Sequence, residues 1–171
     1  SNVAGSYTYT PSSSVVLGAG EHTLSVTFTP IDTANYNNST LTVPLTVNKA
    51  TPSITWAAPS AITYGTVLSG AQLTATSNIA GSWVYDPAAG TVLGAGSQVL
   101  SVTFTPNDPS NYNTATRNVS LTVNKAVPVI SWTPGEITYG TALSPTQLNA
   151  QSNVPGSFVY IPDTGTVLPS G

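Results

Sequence analysis

Apolar and polar residues alternate along much of this chain in short runs. Gln98 to Thr105 sets Leu100, Val102 and Phe104 on one face and Ser101, Thr103 and Thr105 on the other, the two-residue period of an antiparallel strand with one solvated side. Thr114 to Val123 places Val119, Leu121 and Val123 inward. Ser82 to Asp86 puts Trp83 and Tyr85 on one face and Val84 on the other. Ile54-Thr55-Trp56 and Ile62-Thr63-Tyr64 read as a first strand broken by Ala58-Pro59-Ser60, Gln72 to Ser77 as a second, and Thr91 to Leu93 as a brief one. Gly, Pro, Asn and Ser punctuate these runs, and no helical period occurs. Six or seven short strands with turn signals every 8 to 12 residues, in a span of about 76, predict an all-β fold, a Greek-key β-sandwich.

The pattern recurs. Val3 to Pro11 reappears as Ile79 to Pro87 and again as Val154 to Pro162, while Phe28 matches Phe104 and the triplet Asn48-Lys49-Ala50 matches Asn124-Lys125-Ala126. The offset between the first two copies is 76 residues; it falls to 75 in the third, where the turn after Trp132 is one residue shorter than that after Trp56. Fixed-period similarity turns one domain into an array. The expected divisions are residues 1–47, the C-terminal part of a repeat; 48–123, a complete repeat; and 124–171, the N-terminal part of a third. About four residues join the last strand of one copy to the first of the next, and Pro52 and Pro128 stiffen the joints. End-to-end sandwiches with such joints predict a rod, advancing roughly 30 to 45 Å per repeat.

Composition narrows the function. Only 5% of the 171 residues are charged, with three Lys or Arg, six Asp or Glu and one His, and Cys is absent. Three cations leave little material for neutralising phosphates, which argues against nucleic acid and against an anionic membrane surface. Without Cys, disulfide, thiolate-zinc and cysteine-nucleophile chemistry are excluded, and one His builds no multi-histidine metal site. Acid–base catalysis near neutral pH has equally little to work with, so the chain is expected to be no enzyme and to need no cofactor. No run approaches the ~20 apolar residues of a membrane helix, so no membrane insertion is expected. The chain shows neither a start Met nor a signal peptide and reads as a mature or excised piece.

The segments I-T-Y-G-T-x-L-S, G-S-W-V-Y-D-P-A-A-G-T-V-L, L-S-V-T-F-T-P-N-D-P-S-N-Y and L-T-V-N-K-A resemble the tandem Ig-like repeats of long bacterial surface and secreted proteins. They are also similar to the hyalin-type repeat, in which two cysteines bridge the positions held here by Tyr85 and Phe104, or by Tyr9 and Phe28. An aromatic pair would stand in for that bridge. The resemblance implies a passive, extracellular or cell-surface module of a stalk, adhesin shaft or fibre, partnered by neighbouring repeats of the same or identical chains. It implies no catalytic residues.

Several residues invite sharper readings. Trp56, Trp83 and Trp132 could stack on sugars, making a carbohydrate- or host-ligand-binding module; the competing expectation is a core of Trp56, Trp83, Tyr85, Leu100, Val102, Phe104, Val119 and Leu121. Tyr64 and Tyr139, each before a glycine, read as structural. Asp32 and Asp108 open the loops Asp32-Thr33-Ala34-Asn35-Tyr36 and Asp108-Pro109-Ser110-Asn111-Tyr112. Calcium needs six to eight oxygens, whereas one Asp per loop suits a capped turn, so no metal site is expected. Lys49 and Lys125 beside Asn48 and Asn124 raise a Lys–Asn crosslink, but Glu21 and Glu136 have no counterparts in other copies, and the lysines read better as edge-protecting charges. His22 reads as a solvated residue at a strand start. Asn38-Ser39-Thr40 and Asn118-Val119-Ser120 match the glycosylation sequon, a common pattern in Asn- and Thr-rich chains. Finally, the two partial copies could complete each other between molecules and build a self-assembling filament.

Overall fold

The computed structural model describes residues 2–169. The chain is all-β, with no helix among the described residues and about 41% of them in strand. It divides into two compact units, Ser1–Asn124 and Lys125–Gly171.

In the first unit β1 (Gly5–Thr10), β2 (Gly20–Pro30) and β3 (Ser39–Val47) form an antiparallel sheet in chain order. Then follow β4 (Ile54–Thr55), β5 (Ile62–Thr63), β6 (Thr76–Ser77), β7 (Gly81–Asp86), β8 (Gly96–Pro106) and β9 (Ala115–Asn124). A four-stranded sheet runs β5-β9-β8-β7, and β4 pairs separately with β6. The second unit holds a two-residue pair, β10 (Ile130–Ser131) with β11 (Gln151–Ser152).

The core of the 48–123 segment is made by the inward faces that the alternation marks. Leu100, Val102, Phe104 and Leu121 are fully buried, and Trp56 is 2% exposed. Trp83, Tyr85 and Val119 are half-buried and pack against this cluster, as do Ile62, Leu73 and Ala75. Ile54, Leu68, Leu93 and Val123 complete it.

Three features differ from the sequence-based expectation. The broken first strand is two strands in two sheets: β4 pairs antiparallel with β6, whereas β5 pairs parallel with the end of β9, Ile62 opposite Val123. Alternation records which side chains face inward but not which neighbour a strand has, so this crossing left no mark in the pattern. Within Gln72–Ser77 only Thr76–Ser77 is strand. A turn precedes it, with Gln72 and Leu73 donating to the Ser69 carbonyl and the Gln72 side chain accepting from the Ser69 amide. Third, the expected Tyr85–Phe104 pair is replaced. The β7–β8 register sets Trp83 opposite Phe104 and Tyr85 opposite Val102. Trp83 therefore packs against Phe104 at 4.5 Å with the two rings tilted, and Tyr85 meets Trp56 edge-on at 5.4 Å.

The same details recur at matched positions. Trp56 Nε1 donates to the Gln72 carbonyl and Trp132 Nε1 to that of Gln147; Ala75 N–H donates to the Tyr85 hydroxyl and Ala150 N–H to that of Tyr160. The bonds Thr10–Pro11, Asp86–Pro87 and Ile161–Pro162 are all cis. Gly20 and Gly96 open the long strands at φ values of 134° and 121°, where a side chain would be strained.

Candidate functional site at a segment junction

The site that stands out lies where residues 1–47 meet 48–123, inside the first unit. Val47 ends β3, and Asn48-Lys49-Ala50-Thr51-Pro52 leads into β4. This linker is not loose. Ala50 forms a parallel bridge with Tyr112: its N–H donates to the Asn111 carbonyl at 2.9 Å, and its carbonyl accepts from Asn113 N–H at 2.9 Å. Lys49 Nζ donates to the Pro109 carbonyl at 2.7 Å. The loop following β8 thus holds the linker preceding β4 on both sides.

Asp108 shapes that loop. Its Oδ1 accepts from the amides of Ser110 and Asn111 at 3.1 and 3.2 Å, and its Oδ2 from Asn111 Nδ2 at 2.7 Å. The hydrogen bond from the Asn111 side chain, chiefly, holds the Asp108 carboxyl below its ordinary value of 3.8, with smaller contributions from the two amides and the Lys49 charge. With its amide group pinned in this way, Asn111 turns Oδ1 outward, where it accepts the Ala19 N–H at 2.7 Å. Asn111 thereby ties the Leu17-Gly18-Ala19 loop of the preceding segment to the following one. A cavity of about 380 Å³ lies alongside, bordered by Val16, Leu17, Val47, Ala50 and Tyr112.

The matched loop is built alike. Asp32 Oδ1 accepts from the Asn35 amide at 3.2 Å and Oδ2 from Asn35 Nδ2 at 2.8 Å, and the Asp32 carboxyl is lowered by the Asn35 side-chain bond first. Both Asp side chains are engaged in Asx turns. His22 is held as well: its Nε2 lies 2.7 Å from the Gly18 carbonyl, and Gln98 Nε2 at the matched position donates to the Gly94 carbonyl at 2.9 Å. The expectation of a merely solvated histidine missed this loop-closing bond, which the shared hydrogen-bonding capacity of His22 and Gln98 could have signalled.

The tryptophans do not share an environment. Trp56 is buried, Trp83 is half-buried against Phe104, and Trp132 is 47% exposed. Trp132 keeps its bond to Gln147 and its edge-on contact with Tyr160 at 5.4 Å, but among the described residues of the second unit no long strand like β8 covers it. Tyr64 and Tyr139 are exposed.

No group of three or more His, Cys, Asp or Glu side chains gathers in metal-binding geometry among the described residues. Comparison with protein-family models and with curated proteins finds no match to this chain.

Proposed function

We propose that the chain is a non-catalytic structural segment of a bacterial extracellular or cell-surface protein: tandem Ig-like sandwiches joined end to end in a stiff stalk, adhesin shaft or fibre. The observation that carries this reading is the junction. A linker that served only as a tether would be free, whereas Val47 to Thr51 is bonded through Lys49 and Ala50 to the loop of the next segment, and Asn111 reaches back to Ala19. Such a joint resists bending and transmits tension from one sandwich to the next. Asp108, a natural candidate for chemistry, is occupied in shaping that joint, and Asp32 is held in the same way within its own turn.

Partners under this reading are neighbouring repeats. A carbohydrate-binding role finds less support at two of the three tryptophans, because Trp56 is in the core and Trp83 packs against Phe104, whereas Trp132 is 47% exposed. Electron microscopy or small-angle scattering of the protein tests the proposal. Elongated particles advancing roughly 30 to 45 Å per repeat are expected. A compact globule overturns it.

A further inference from the structure

Contacts from the preceding segment and from the linker converge on one short loop. Lys49 Nζ donates to the Pro109 carbonyl at 2.7 Å, Ala50 is bonded through Asn111 and Asn113 on either side of Tyr112, and Ala19 donates to the Asn111 side chain. Asn113 Nδ2 also lies 3.4 Å from the Thr51 hydroxyl. Residues 109–113 stand immediately before β9, and β9 ends at Asn124, where the chain passes to Lys125. The 48–123 segment is thus gripped at the loop before β9 and left at the end of β9.

A second pairing holds the far end of the same strand. Ile62 and Thr63 stand opposite Val123 and Asn124, and Tyr64 N–H donates to the Asn124 carbonyl at 2.8 Å. Both the Ala50–Tyr112 bridge and the β5–β9 pair are parallel. Bonds in a parallel pair are evenly spaced along it. A pull that draws the linker one way and Lys125 the other slides each pair along its own length, so its bonds are loaded together and do not open in turn like the end of a hairpin.

The two pairs are not loaded at the same moment. Ala50 precedes β4 and β5 in the chain, so tension arriving from Val47 meets the Ala50–Tyr112 bridge first. A direct route is open to it there: across to residues 111–113, along the covalent backbone of β9, and out through Asn124. The strands β4 to β8 lie off this route. An extended strand has little length left to give, and β9 is braced sideways by β8 from Ala115 to Val123, with Leu121 and Val123 buried in the core.

We propose that β9 is the tension-bearing member of the 48–123 segment, loaded through the Ala50–Tyr112 bridge, and that the β5–β9 pair is a reserve loaded only after that bridge opens. While the bridge holds, the core is spared. β3 occupies the matched place in the preceding segment, follows the matched Asp32–Asn35 turn and runs straight into the linker. Load therefore passes from one long strand to the next through the linker and the Asp108 loop. This route rests on reading the chain as a stalk, yet the two fail separately: compact particles remove the stalk, whereas elongated particles whose response to tension ignores Ala50 remove only the route.

The chain has no Cys, so Thr46→Cys and Val127→Cys, at two exposed positions, give unique handles for holding the full chain under constant tension in optical or magnetic tweezers. Complete opening between the handles releases about 250 Å of contour from residues 50–124, which identifies it in each trace. The time to the first extension is the readout, because forced opening reports a rate. Ala50→Pro, which removes the N–H donated to Asn111, and Lys49→Ala, which removes the bond to Pro109, should each shorten that time about fivefold to tenfold at equal tension, with little change in the urea midpoint. Tyr64→Pro, which removes the N–H donated to Asn124, should leave it unchanged by itself and shorten it when combined with Ala50→Pro. An unchanged time in the Ala50→Pro or the Lys49→Ala chain, or a Tyr64→Pro chain that yields sooner with the Ala50 bridge intact, overturns the proposal.

Discussion

The side-chain oxygen of Asn111 accepts a hydrogen bond from the backbone N–H of Ala19, 92 positions earlier in the chain, at 2.7 Å. One small polar side chain therefore joins two sheet systems that share no strand. Asn111→Ala should speed hydrogen exchange at the Ala19 amide and loosen the junction by roughly 1 kcal/mol. The same substitution in the matched loop, Asn35→Ala, should leave exchange at Ala19 unchanged. Exchange monitored by NMR checks both.

The joint should weaken in acid. The folded-state value of the Asp108 carboxyl is depressed, so its contribution is present above the ordinary value of 3.8 and is lost as pH falls through the lowered one. Protonation takes away the charge that holds Asn111 Nδ2. Weaker protection of the Ala19 amide, relative to its intrinsic exchange rate at each pH, is expected as pH drops below about 3.8, and Asp108→Asn should abolish that pH dependence of the protection. An unchanged pH profile in the Asn variant would contradict this role.

Gly81→Ala should destabilise the 48–123 sandwich by about 1 to 3 kcal/mol, because the new methyl presses on the Phe104 ring and the Thr105 carbonyl, and the carbonyl belongs to a paired strand. Urea denaturation measures it.

Leu121→Ala should cost about 2 to 5 kcal/mol, the usual range for emptying a closed core. Leu45→Ala at the matched, 38% exposed position should cost less in the dilute protein. Urea denaturation of the two variants compares them, and equal losses at the two positions would contradict this ranking.

Salt should matter little. With three Lys or Arg and six Asp or Glu in 171 residues, screening has few interactions to act on, and the melting temperature should move by no more than a few degrees between dilute and molar sodium chloride.

Much of the fold was legible in the alternation of side chains. Leu100, Val102 and Phe104 face inward because a strand has no other way to hide every second residue, and Val84 faces out for the same reason. Partnership was less visible. Nothing in Ile62-Thr63 marks it as the parallel neighbour of β9, and the turn at Ser69–Gln72 hides within an otherwise strand-like run. The loop at Asp108 was readable as a capped turn, since Asp and Asn three apart can bond each other. Its attachment to Ala19 was not, because that bond depends on the docking of two segments and leaves no periodic trace.

The second unit keeps the hydrogen bonds from Trp132 to Gln147, from Ala150 to Tyr160 and from Val129 to Asn153 although its tryptophan is half uncovered. These bonds join residues 15, 10 and 24 positions apart, so the framework of the unit is set by neighbouring stretches of its own chain, and the tryptophan is oriented by hydrogen bonds before any burial fixes it.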